Sequence, residues 1–136
     1  MTQPLPRQYI SSGGRLTVDV VSPRMLQTRM VGHLDLQLAR QFLAILEGWV
    51  NLGGSNLVAF HDWEELVDYE SEARILLTPW SKANRTKFEG IHMLIRGRAI
   101  AWGLNIFNAL TGDVMTVHHV RDSFAQARQA AGERAG

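Results

Sequence analysis

The sequence encodes an α/β protein: a central mixed, largely parallel sheet that begins with a β-hairpin and is flanked by about four helices. Three observations predict this. Two early runs, "RLTVDVV" (Arg15 to Val21) and "MLQTRMVG" (Met25 to Gly32), alternate apolar and polar side chains, as half-buried strands do because neighbouring residues point to opposite faces. Beyond them, segments with apolar residues at helical spacing alternate with short, almost wholly apolar runs, the pattern of helices crossing between strands of a parallel sheet. The chain has 136 residues, enough to bury one core, and it carries no internal repeat, low-complexity tract or linker, so a single domain over residues 1–136 is expected.

Each element follows from local signals. The Pro-containing start, residues 1–7, is expected to be flexible, with a short strand from Gln8 to Ser11 ahead of Gly13-Gly14. Ser22-Pro23 marks the turn between the two alternating runs, and so short a connection makes them an antiparallel hairpin. Asp35 is placed to cap a helix in which Leu38, Phe42, Ile45, Leu46 and Trp49 form one apolar face before Gly53-Gly54 end it. Asn56 to His61 is a short buried strand. A second helix, from about Tyr69 to Ala83, turns Ala73, Leu76, Leu77 and Trp80 inward, and Pro79 implies a kink or a stop near Leu77. Gly90 to Ile95 is a third apolar strand, and Arg98 to Leu110 a helix with Ile100, Leu104, Phe107 and Leu110 in register. Val114 to Val120 is the last strand, and Asp122 caps a final helix through Ala130, with 132–136 frayed.

Composition narrows the function. Hydrophobic residues at 46% and charged residues at 20% describe a folded chain rather than a disordered one. A net charge of +1 gives no overall pull toward nucleic acid, and the basic stretch Lys82, Arg85, Lys87, Arg96 and Arg98 lacks interleaved aromatics, so no nucleic-acid partner is expected. With no cysteine there is no disulfide, thiolate nucleophile or thiolate metal ligand. "MTQPLPRQYI" has no apolar signal core, and no apolar stretch approaches the roughly 20 residues of a membrane span, so a cytoplasmic location is expected. No glycine-rich phosphate loop, nucleophile elbow or spaced metal-ligand motif occurs, so neither catalytic residues, a cofactor nor a metal is assigned.

The most distinctive stretch is "LVAFHDWEELVDYESEARILL", Leu57 to Leu77, in which six acids precede the first basic residue, Arg74. Read as a loop leading into a helix, it places Asp68 at a helix N-cap with Glu70 and Glu72 in the first turn, where negative charge is favoured by roughly 0.3–1 kcal/mol. His61 beside Asp62 and Glu64, at the carboxyl end of a strand, is the alternative catalytic or metal-binding reading, with His118 and His119 from another strand as further ligands. Adjacent strand residues face opposite ways, so those two histidines do not reach one ion from a regular strand.

The order of elements, the strand and helix of Leu57 to Leu77, and the ending "VMTVHHVRDSFAQARQAA" together resemble the STAS domains of anti-sigma-factor antagonists and the related SEC14-like domains, over nearly the whole chain. The resemblance implies a STAS-like fold and a regulatory or scaffolding module that binds another protein or itself. In that family an Asp-Ser-Ser/Thr-Gly stretch opens the helix and a partner kinase phosphorylates a serine. Aligning strand and helix puts Asp68 on the family's Asp and Tyr69, Glu70 and Ser71 on the three positions after it, so the acceptor is not kept. Glu70 there is either a fixed stand-in for phosphate or a plain helix-start acid.

The expected partner surface is therefore Asp62, Trp63, Glu64, Asp68, Tyr69, Glu70 and Ser71, with Trp63 and Tyr69 as apolar anchors. Arg96 and Arg98 flank a helix start and are a candidate anion site. Trp102 and Ile106 put a second apolar stripe on the third helix, a candidate oligomer interface or an internal packing face. The alternative function is a small-ligand carrier for a lipid or anionic metabolite, as in SEC14-like domains, with Arg96 or Arg98 meeting the headgroup.

Overall fold

The computed structural model describes residues 7–135. Six strands form one sheet in the order β1-β2-β3-β4-β5-β6. They are β1 (Arg7–Ile10), β2 (Gly14–Ser22), β3 (Met25–Leu34), β4 (Leu57–Tyr69), β5 (Phe88–Leu94) and β6 (Met115–His118). The β1–β2 and β2–β3 pairs are antiparallel, and the β3–β4, β4–β5 and β5–β6 pairs are parallel. The helices are α1 (Leu36–Gly53), α2 (Ser71–Asn84), α3 (Arg98–Leu110) and α4 (Arg121–Ala135). Because each parallel step moves the chain one strand further in the same direction, right-handed crossovers bring α1, α2 and α3 to one face. The last helix, α4, packs on the other.

Alternation along the strands sorts the core into those two faces. Leu57, Ala59 and Trp63 of β4 point toward α1–α3 and join Leu38, Phe42, Leu46 and Trp49 of α1. Val58 and Phe60 point the other way and meet Met25, Leu94 and Phe124 of α4. Fully burying side chains of this kind contributes about 1.5–3 kcal/mol each, so the α1 face anchors the sheet. Asp35 caps α1 as its position requires, its side chain accepting from the Leu38 amide at 2.8 Å. Gly54, at φ 82°, closes the other end with its N–H on the Val50 carbonyl.

Several boundaries differ from the sequence expectation. The largest difference is β4: the acids of Asp62 to Asp68 form no loop but continue the strand to Tyr69, paired with β3 throughout. Asp68 is consequently a strand residue and not a helix cap; Glu70 holds the N-cap position of α2 without a side-chain cap bond. Two register shifts on the β3–β4 ladder, between Arg29 and Val31 and between Gly32 and His33, re-aim side chains where the acids lie. Helix α2 runs through Pro79 to Asn84 instead of stopping near Leu77. The bond lost is the one to the carbonyl of Ile75, an exposed residue whose backbone oxygen has water within reach. Leu110 is 59% exposed and lies off the core stripe. The final strand is shorter than Val114 to Val120, and α4 starts at Arg121, so Asp122 sits inside its first turn. Of the segment expected to be flexible, Arg7 begins β1 and residues 1–6 lie outside the described residues; at the other end α4 extends to Ala135.

Candidate functional site

The acids on β4 are matched by bases far away in sequence. Arg121, at the start of α4, grips Asp62 through two hydrogen bonds of 3.1 Å each and Glu64 through one of 3.0 Å. From β3, Arg29 pairs with Glu65, and His33 pairs with Asp68 through Nδ1 while its Nε2 lies 3.6 Å from Glu70. Hydrogen bonding to the paired carboxylates raises the proton affinity of Arg121 and of Arg29, and the bond to Asp68 raises that of His33. The His33 tie is thus fullest below its ordinary pKa of 6.5 and is lost as pH rises through the raised value. These pairs are largely exposed and contribute only about 0–1 kcal/mol each. Their main consequence is that the stretch is a neutralised ribbon rather than an open acidic face.

The expected partner residues are distributed accordingly. Asp62 and Glu64 are held by Arg121 on the α4 side. Trp63, only 5% exposed, belongs to the core and is out of reach of a docking partner, so it is no surface anchor. Tyr69 is half-buried, and its hydroxyl abuts the backbone of α3: a Cβ added at Gly103 would lie 2.4 Å from it. Asp68 and Ser71 are exposed, and Glu70 is half-buried at the helix start. Arg96 and Arg98 are both exposed and flank Gly97, the N-cap of α3, where no side chain caps the first turn.

His61 is 4% exposed, and burial lowers its pKa to about 3, with the nearby His92 adding to the effect. At neutral pH the ring is therefore uncharged. The Trp63 indole N–H donates to Thr28 Oγ1 at 2.8 Å, and that oxygen lies 2.6 Å from His61 Nδ1. The Thr28 hydroxyl thus bridges the two rings, accepting from the indole N–H and sharing a hydrogen bond with Nδ1 of His61. Phe42 meets the ring edge-on, centroids 5.3 Å apart. The carboxylates named as its catalytic neighbours, Asp62 and Glu64, turn to the opposite face of the sheet, where Arg121 holds them. His118 also faces that side, 2.9 Å from His92 and 2.9 Å from Ser123 Oγ, so strand alternation keeps it apart from His61.

Between the sheet and helices α2 and α3 lies a cavity of about 110 Å³. Its floor includes His61, Trp63 and Met93, and its roof includes Leu77 of α2 and Leu104 and Phe107 of α3. The lining is overwhelmingly apolar. It arises because α2 buries only Ala73 fully, so this helix stands off the sheet instead of filling the space beneath it. The sequence contains no local signal for such a gap, since Leu76, Leu77 and Trp80 have the spacing of ordinary packing residues. On the outside of α3, Trp102 is 70% exposed, Ile106 37% and Leu110 59%, one stripe at four-residue intervals.

No family model matches the chain, and no curated protein matches it. Among solved structures, an uncharacterized protein of the DUF3478 family from Shewanella loihica PV-4, described as having a SpoIIAA-like fold, superposes with a TM-score of 0.60. The match covers 93% of this chain and 97% of that one, at 16% sequence identity. The present protein thus has a SpoIIAA-like α/β fold. At that identity the likeness speaks for architecture alone. Among the described residues no helix is long and apolar enough to cross a membrane.

Proposed function

We propose that this protein is a non-catalytic binding module, acting in regulation or scaffolding, that engages another protein through the outer face of α3. The observation carrying this reading is the exposed stripe of Trp102, Ile106 and Leu110 on a helix whose opposite side already buries Ile100, Ala101 and Gly103. One apolar stripe suffices to dock a helix on its own sheet. A second, headed by a tryptophan, has the composition of an interaction hot spot, where large aromatics contribute most on losing water. The Asp62 to Ser71 stretch is a less favourable surface than its composition suggests, because its acids are paired and Trp63 is inside. Ser71 remains exposed to a partner approaching from the start of α2.

Two other readings lack geometric support. A hydrolase built on His61 would need an exposed base with aligned carboxylates, and this imidazole is buried, uncharged and on the wrong face for Asp62 and Glu64. A carrier of whole lipids would need roughly 300 Å³ or more, well above the about 110 Å³ enclosed here.

Solution mass by light scattering, measured over a concentration series for wild type and for Trp102→Glu/Ile106→Ser, tests the interface. An assembly that the substitutions dissolve makes a second copy the partner and α3 the contact. An assembly they leave intact refutes α3 as the interface. A monomer throughout directs the search to a different protein, captured by the wild type and not by the variant.

A further inference from the structure

We infer that the cavity beneath α2 and α3 is a binding site for a small amphipathic carboxylate, its short apolar tail inside and its head at the mouth formed by Arg74 and the Tyr69 hydroxyl. This inference is independent of the outer face of α3 and concerns the opposite side of that helix.

Size and polarity select the tail. A 150 Å³ apolar cavity holds one benzene, so the 110 Å³ available here takes an acyl segment of about four or five carbons. Several of the polar groups in and behind the lining are already engaged. The Thr28 hydroxyl already satisfies Trp63 Nε1 and His61 Nδ1, and Asn108, on the wall, is occupied by Asp113 and the backbone of Met115. The lining is therefore suited to hydrocarbon.

Charge selects the head. Among the lining residues only Arg74 and Arg85 carry charge at neutral pH, and no carboxylate faces the space. Neither arginine forms an ion pair among the described residues. They stand at opposite ends of α2, about 16 Å apart at the helical rise, so one small ligand meets only one of them. The stem of Arg85 lies across Gly112, with Cδ 2.4 Å from where a Cβ would be, which places it by the carboxyl end of α3. The negative end of that helix disfavours an anion. Arg74 lies in the opening turns of α2, close in sequence to Tyr69, whose hydroxyl reaches the cavity wall at Gly103 and has no hydrogen bond to another described residue. A guanidinium and a phenol O–H are both donors suited to a carboxylate.

The probe is pentanoate, with 1-pentanol as its uncharged counterpart. Tryptophan fluorescence reports occupancy because Trp63 and Trp80 both line the cavity. Saturable binding of pentanoate is expected, tighter than that of pentanol. In Arg74→Ala the carboxylate weakens by roughly tenfold while the alcohol is unaffected. In Leu104→Trp, which fills the space, both ligands are lost although urea unfolding shows a folded protein. The absence of saturable binding by either ligand overturns the site. Equal affinity for the two ligands in wild type, or a loss in Arg85→Ala with none in Arg74→Ala, overturns the assigned head position.

Discussion

Replacing Thr28 by valine removes one hydroxyl and almost no volume, and two buried aromatic groups depend on that hydroxyl. Thr28 is 4% exposed, with Trp63 Nε1 at 2.8 Å and His61 Nδ1 at 2.6 Å. In Thr28→Val both buried nitrogens lose their partner. A buried polar group left unpaired costs about 1–3 kcal/mol, giving roughly 2–6 kcal/mol for the two. Gaining a buried methyl in place of the hydroxyl returns about 0.8 kcal/mol. The expected loss is therefore about 1–5 kcal/mol, a fall in Tm of about 4–18 °C for a chain of this size. Urea unfolding followed by circular dichroism measures it, with an unchanged slope showing that the two states compared are still the same. Thr28→Ser keeps the hydroxyl and gives up a methyl, for about 1 kcal/mol. If valine proves no worse than serine, the hydroxyl is not what holds His61 and Trp63.

Two further outcomes rest on the same framework. His61 has a folded pKa of about 3 against 6.5 unfolded, so its contribution is fully present above pH 6.5 and lost as pH falls toward 3. Over that window the unfolded state binds the extra proton, and stability drops by up to about 1.4 kcal/mol per pH unit; urea midpoints of wild type should decline more steeply with acid than those of His61→Gln, and parallel slopes would contradict this. Asp35→Ala should cost about 1 kcal/mol and speed hydrogen exchange at the Leu38 amide, whereas an unchanged rate there would mean that the carboxylate does not hold the first turn of α1.

Much of the architecture is legible in the sequence because it depends on near neighbours. Helix α1 has its cap, stripe and glycine stop within about 20 residues of one another, and α3 occupies the span that its periodicity implies. The hairpin of β2 and β3 follows from alternation and a turn. What fails is what depends on distant partners. The acids of β4 look like a loop because nothing basic adjoins them; Arg29, His33 and Arg121 are 36, 35 and 59 residues away from Glu65, Asp68 and Asp62. A signal was present in β3, where Arg29 and His33 stand two by two on the same pleat, ready to meet a neighbouring strand of opposite charge. Trp63 reads as a surface residue for the same reason: once the strand is taken to end at His61, its continuing alternation is no longer counted. The cavity had no such signal, because it is the distance between α2 and the sheet, and a spacing pattern shows which side of a helix faces inward without showing how far in it lies.

Trp102 and Gly103 are consecutive on α3, the first turned to solvent and the second forming the wall against Tyr69. A helix with one side on an internal space and the other on an external contact cannot be moved for one without being moved for the other. If filling the space strengthens the external contact by some factor, making that contact strengthens filling by the same factor, because both routes lead between the same states. The size of that factor is bounded by the difference in affinity between the two positions of the helix, however tightly either occupant binds. The standoff of α2 leaves α3 one side on which such a displacement meets few packed atoms, and any linkage between the two faces of the domain would run through that layer.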